Sequence, residues 1–291
     1  MKSNKIKKTW ERTVETVFLL CAAISVLSVV VITVYVFAKG TPAIFKAGIV
    51  EFLTSTSWQP EAGEFGILSM IIASILGSFG AIIIGVFIGL FTAIFLAELA
   101  PKRLAAVIRP AIELLAGIPS VVYGFFGLMV LVPLISKYLG GAGNSLLAVI
   151  IILAVMILPT VISMSEASIR AVPSTLKEGS LALGASHIQT IFRVLVPAAK
   201  SGIMASIVLG TGRAIGETMA VILVSGNTAL IPRALTDRVR TLTANIALEM
   251  GYASGLHQET LFATGVVLFI FIMLLNILLN VIIHRKAGKG V

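Results

Sequence analysis

Arg213 and Glu217 are the only charged residues in the stretch Ser201 to Pro232. Four residues apart on a helix, they share a face and can pair. A guanidinium offers a planar fork of donors that suits the oxygens of an anion, and it stays charged at every relevant pH. A neighbouring carboxylate tempers that hold, since a conducted ion must also leave. The competing role is a buried salt bridge that only joins helices. Other chemistry is scarce. No GxxxxGK[ST] stretch cradles nucleotide phosphates, and neither a nucleophile elbow nor an HExxH is present. His187, His257 and His284 lie far apart, which reads as solvated positions rather than metal ligands. The lone Cys21 allows no intramolecular disulfide and no thiolate cluster.

The elements that must position this pair are membrane helices. Of 291 residues 58% are hydrophobic and 12% charged, against roughly 25% charged in soluble domains; mean hydropathy is +1.06. Uncharged runs at Val17 to Ala38, Phe65 to Ala97, Leu114 to Ser136, Tyr138 to Ser165 and Thr260 to Ile283 each reach the roughly 20 residues that cross a bilayer. The Arg213 stretch makes a sixth. These runs are apolar on every face, unlike the amphipathic helices of soluble cores. Arg213 follows Lys200 by thirteen residues, roughly 20 Å along a helix and hence near mid-membrane. A charge there costs about 2.5–3.5 kcal/mol and faces a cavity or a partner.

Orientation follows from the basic residues, which resist translocation. With the amino terminus inside, six spans place fifteen Lys and Arg in inner segments and six in outer ones. The expected architecture is therefore all-α and polytopic, with residues 1–16 and 284–291 cytoplasmic and 17–283 forming the membrane domain. The charge of +9 is thereby explained without nucleic acid, for which no basic motif with aromatic interleaving exists.

Between the spans, Trp58-Gln59-Pro60 reads as an interfacial anchor. Pro119, in Gly117-Ile118-Pro119-Ser120, should bend the third span, and Pro159 should interrupt the fourth. The outer segment Gly226 to Glu259 reads as an outward-facing contact surface. The inner segment 170–200 is longer than a connection requires. Thr175 to Glu178 has the form of a capping box, and Ser186 to Gln189 offers a second cap. Gly184 between them can adopt the left-handed turn that ends a helix, and the second helix runs to Pro197. Two short helices in a cytoplasmic knuckle suggest a docking element.

At these residues a family becomes recognisable. Glu178-Gly179-Ser180, Gly184 six residues after the Glu, and Val194-Leu195-Val196-Pro197 resemble the EAA loop of ABC importer permeases: Glu-Ala-Ala, three residues, Gly, nine residues, then aliphatics around Leu-Pro. Small residues replace the alanines. The run Glu113 to Gly124, the run Gly212 to Ala220, and Trp58-Gln59-Pro60 followed by Phe65-Gly66 resemble the phosphate branch, in its PstC type rather than its PstA type.

The resemblance implies a type I importer fold with a core about 66–283 and a loop seated on a separate ATPase through Glu178, Gly179, Ser180, Gly184 and Pro197. It implies a phosphate path touching Arg213, Glu217, Pro119, Ser120 and Tyr123. The implied partners are a PstA-type permease, two PstB-type ATPase subunits that bind ATP and Mg, and a PstS-type binding protein, in the inner membrane of a bacterium or archaeon. No cofactor is expected in this chain. The rivals are a permease for sulfate or molybdate, an ion-coupled anion carrier, which usually shows inverted halves not found here, and an intramembrane hydrolase, which lacks a catalytic constellation.

Overall fold

A computed structural model describes residues 2–287, with side chains over residues 10–278 and at Val281. Lys289 lies outside the described residues, as do the side chains of Lys2, Lys5, Lys7, Lys8, His284, Arg285 and Lys286. The chain is helical apart from a two-stranded hairpin, β1 (Trp58–Gln59) with β2 (Glu64–Phe65), among the described residues. Among the described residues, five runs are long and apolar enough to cross a bilayer: Trp10–Ala47, Leu68–Leu99, Ser120–Leu139, Leu146–Arg170 and Gly255–Leu278. A sixth arises if His187–Ala198 and Lys200–Gly216, joined at a 69° bend, form one span.

The first span belongs to α1 (Lys2–Ala47), longer than the expected Val17 to Ala38 because neither Gly40 nor Pro42 ends it. Gly40 lies against the backbone of the last helix, where a Cβ would come within 2.6 Å of the Phe262 carbonyl oxygen. After a short helix α2 (Ile49–Thr54) and the hairpin, α3 (Leu68–Ile94) runs into a wider π-helical turn at Phe95–Leu99. α4 (Lys102–Gly117) is amphipathic and separate from the third span, which is α5 (Ser120–Phe126), a π turn and α6 (Val132–Leu139).

The fourth span, α7 (Leu146–Arg170), starts later than the expected Tyr138, because Gly140, Gly141 and Gly143 all take positive φ in the preceding turn. It also runs unbroken through Pro159, contrary to the expected interruption. Pro159 is buried between neighbouring helices, and such packing tolerates a missing backbone bond within a membrane helix. α8 (Ser174–Ala182), α9 (His187–Thr190), a π turn and α10 (Val196–Ala198) lead to α11 (Lys200–Gly216). α12 (Met219–Val224), α13 (Leu242–Glu249) and α14 (Gly255–Ala287) complete the chain. The expected stretch Ser201 to Pro232 is thus two helices and a loop.

α7 is the centre, with α3 and α11 on its sides. Small residues Gly77, Ala81, Gly85 and Gly89 form a stripe on α3; a Cβ on Gly85 would come within 2.6 Å of Ile157. Such stripes let membrane helices approach until van der Waals contact replaces the absent hydrophobic drive. Gly77 meets Val149 and Gly89 meets Val161, so α3 and α7 are parallel; Gly202 meets Ser168 and Gly210 meets Val161, so α11 runs opposite. Gly40 on Phe262 and Phe37 on Phe269 make α1 and α14 antiparallel. The two ends of the chain therefore lie on one side.

Candidate functional site

Two gaps in the helices build the site. The first follows α4. A proline removes a donor and pushes the residue before it out of helical geometry; Ile118 and Pro119 are accordingly extended, at φ −70° ψ 127° and φ −59° ψ 142°. The expected bend is a complete break. Leu114, placed in the span by sequence, is instead 73% exposed on α4. A helix end leaves carbonyls unpaired, and Tyr123 Oη crosses the gap to donate to the Leu115 carbonyl at 2.7 Å. Ser120 opens α5.

The second gap follows Arg213. α11 stops at Gly216, and Glu217 is extended at φ −70° ψ 130°. The four-residue pairing of Arg213 with Glu217 expected for a continuous helix is therefore not made. Glu217 Oε1 instead accepts from Ala220 N at 3.1 Å, placing a negative charge at the start of α12 where the helix dipole favours it. Its backbone carbonyl, freed by the break, accepts from Thr243 Oγ1 at 3.0 Å. No carboxylate lies within ion-pair distance of Arg213 among the described residues. Arg213 is half-buried.

The gaps are neighbours. A Cβ on Gly124 would lie 2.7 Å from Ala220 Cα, and one on Gly127 would lie 2.7 Å from Val224. α5 and α12 therefore run side by side in the same direction, starting at Ser120 and Met219. The contact of α5 with α12 thus brings the segment of Pro119, Ser120 and Tyr123 beside the gap at Glu217, four residues after Arg213. The region holds a guanidinium with no carboxylate partner among the described residues and one carboxylate held to a backbone N–H.

The segment Gly226 to Glu259, expected to be an outward-facing surface, exposes Leu230, Leu235 and Tyr252 but also sends a helix inward. α13 folds back into the protein, with Leu242, Thr243, Ala244, Asn245 and Glu249 buried. Glu249 is a hub: it accepts from Trp58 Nε1 at 2.8 Å and Arg240 at 2.6 Å, and lies 2.9 Å from His257 Nε2. Trp58 is thus buried rather than interfacial, and His257 is mostly buried rather than solvated. Sequence reasoning missed this hub, since its members span 58 to 257. A buried carboxylate needs such partners, but nothing local names them.

On the other side, α8 begins at Ser174 with Pro173 as its cap, so Thr175 and Glu178 form no capping box. Because the helix starts at Ser174, Thr175 lies inside its first turn and not at the cap position. The second box is present: Gln189 N donates to Ser186 Oγ at 3.2 Å and Ser186 N to Gln189 Oε1 at 2.9 Å. Gly184 takes φ +85°. Ser180 and Thr190 share a hydroxyl contact of 3.0 Å across the turn. Lys177 and His187 approach Glu98 at 2.6 and 3.7 Å, fixing both short helices to the end of the second span. Glu166, buried, takes Arg109 and Arg170 at 2.8 and 2.9 Å. Glu178, Gly179 and Pro197 are exposed, and Leu183 is 91% exposed.

Comparison with known proteins places this geometry. Residues 85–288 match the family described as binding-protein-dependent transport system inner membrane component. The chain is 42% identical over 273 residues to the "Probable ABC transporter permease protein YqgH" of Bacillus subtilis, covering 91% of this chain and 88% of that protein. It is 38% identical to the "Phosphate transport system permease protein PstC" of Mesorhizobium japonicum, covering 84% and 81%. It is 34% identical to PstC of Pasteurella multocida, covering 94% and 90%. Among solved structures, an inward-facing MetNI methionine ABC transporter matches with TM-score 0.62 and 20% identity, over 79% of this chain and 99% of that one. That likeness concerns the fold.

Proposed function

The chain belongs to the binding-protein-dependent inner-membrane components, the multi-pass permeases of ABC importers in the plasma membrane, and on that premise we propose that its cargo is inorganic phosphate. The carrying observation is Arg213, half-buried and without a carboxylate partner among the described residues, in the last turn of the helix that ends at the second gap. Discontinuous membrane helices line substrate sites because only there is irregular backbone tolerated. The PstC names of several relatives support phosphate as the anion.

In this reading the guanidinium takes two phosphate oxygens. Glu217 keeps Oε1 on the Ala220 N–H and offers its other oxygen to the proton of phosphate, which sulfate lacks near neutral pH. The exposed face of α8, with Glu178, Gly179 and the turn at Gly184, seats on an ATPase subunit that supplies the energy. A PstA-type permease completes the pair, two PstB-type subunits bind ATP and Mg, and a PstS-type protein delivers phosphate. The complete complex reconstituted in liposomes is expected to take up labelled phosphate, with sulfate and molybdate failing to compete. Competition by either at equal concentration would move the assignment to that oxyanion, and uptake without the ATPase would favour an ion-coupled carrier.

Orientation is part of the same reading. Both termini face the cytoplasm, because the segments with them hold fifteen of the basic residues. In a Cys21→Ser background, a cysteine from Ser254→Cys is expected to react with an impermeant thiol reagent outside intact cells, and one from Ser3→Cys is not. The reverse pattern would invert the assignment.

A further inference from the structure

α13 touches both the outer surface and the gap beyond Arg213. At its first turn Thr243 Oγ1 donates to the Glu217 carbonyl at 3.0 Å, and Leu242 N donates to Ser74 Oγ at 3.0 Å. At its last residue Glu249 binds Trp58 of the outer hairpin, Arg240 of the outer loop and His257 of the last span. Arg240 also donates to Asn245 Oδ1 at 3.0 Å and to the Asn227 carbonyl at 2.9 Å, so the loop is pinned to the same helix. A helix of eight residues is a stiff rod about 12 Å long.

The ties at its ends are of a kind that resists slack. A polar bond in apolar surroundings has no water to replace it, so moving one partner costs the desolvation of both. The Glu217 carbonyl is freed by the break itself, and Thr243 is the side chain that answers it. At the other end a cavity of about 670 Å³, lined by Gln59, Glu61, Glu249, Tyr252 and His257 among others, opens beside the hub. The hub is therefore reachable from outside, while the first half of the rod, Leu242 to Asn245, is buried.

We propose that α13 is a strut that passes the state of the outer face to the gap in the pathway span, with Thr243 and Glu249 as its positioning residues. The inference rests on the reading of that gap as the anion's route. Neither residue touches the anion; each acts through Glu217, whose backbone sets where Arg213 and the Glu217 carboxylate stand. Strain applied at Trp58 or His257 moves Glu249, the rod, and then the Glu217 carbonyl.

The test reads the gap directly and needs no cargo. In a Cys21→Ser background, Gly216→Cys puts a thiol at the gap, where the residue is exposed and an added Cβ meets nothing within 4 Å. In the reconstituted complex, the rate at which a small soluble reagent modifies that thiol is followed as the hub is altered. Trp58→Phe removes only the indole donor, and Glu249→Gln removes the charge; if the second fails to fold, the first decides. Trp58→Phe is expected to change the modification rate about fivefold, the equivalent of one lost hydrogen bond. With Thr243→Val the change disappears, and Thr243→Ser, which keeps the hydroxyl, restores it. A change of equal size with Thr243→Val, or no change from the hub variant in folded complexes, overturns the strut. A parental complex that moves no phosphate would instead strike the cargo assignment and leave this readout standing.

Discussion

Replacing Arg213 by methionine is expected to abolish phosphate uptake while leaving the complex assembled. The two halves of that expectation come from different observations. The guanidinium has no carboxylate partner among the described residues, and Glu217 is held by the Ala220 N–H, so removing Arg213 leaves no newly stranded pair. Methionine is apolar and of similar length, and it relieves the cost of a charge inside the bilayer. What is lost is a pair of charged hydrogen bonds to the anion, each about 1.5–3 kcal/mol, or about 100-fold or more together. Lysine retains the charge without the planar fork, and Arg213→Lys is expected to fall between, about tenfold below the parent if one of the two bonds is lost. Uptake, basal ATP hydrolysis and recovery of assembled complex are measured on the same preparations. An assembled Arg213→Met complex that transports at the parental rate would remove Arg213 from the pathway. Had the two residues paired on one continuous helix, the single variant would have been the unstable one and the double variant with Glu217→Leu the silent one.

The turn at Gly184 is expected to be as unforgiving for a different reason. At φ +85° an L-residue is strained, although nothing lies within 4 Å of an added Cβ. The obstacle to substitution is therefore backbone conformation alone, and it grows with branching at Cβ. Gly184→Val costs upward of about 1–2 kcal/mol, and the knuckle can relieve that cost by opening the turn between α8 and α9. Opening it would separate Ser180 from Thr190 and shift the exposed face on which the ATPase is proposed to sit. Retention of the ATPase on a detergent-purified permease is expected to fall roughly tenfold or more, with membrane insertion unchanged. Gly184→Asn, which tolerates the left-handed region, is expected to retain it. Equal retention for valine and glycine would show that the turn does not position the docking face.

The membrane helices and the knuckle of α8 and α9 were legible in the sequence because their causes are local. An apolar run of bilayer length has no alternative in water. Gly184 and the Ser186 to Gln189 box carried their conformations in their own spacing. The Thr175 to Glu178 pattern failed for an equally local reason: the helix starts one residue earlier, at Ser174, with Pro173 at its cap position. Even so, equal local signals had different outcomes. Pro119 breaks its span and Pro159 does not, since Pro159 is buried in the central helix and Pro119 stands where α4 and α5 part company.

The partnerships were not legible, and the pathway depends on them. Sequence spacing put Arg213 and Glu217 on one face only by assuming an unbroken helix, and the break at Gly216 sends the carboxylate to Ala220 and the carbonyl to Thr243. Nothing within Gly226 to Glu259 announced that Leu242–Glu249 turns inward, because its mixed composition suits a surface until Trp58, Arg240 and His257 close around Glu249. By itself the sequence determined where the apolar runs of bilayer length and the left-handed turn at Gly184 lie, because apolar length and local backbone geometry settle those. Only the tertiary structure decided that Arg213 and Glu217 do not pair and that the Glu217 carbonyl meets Thr243, because a freed polar group takes its partner from whichever segment packing brings within hydrogen-bond reach.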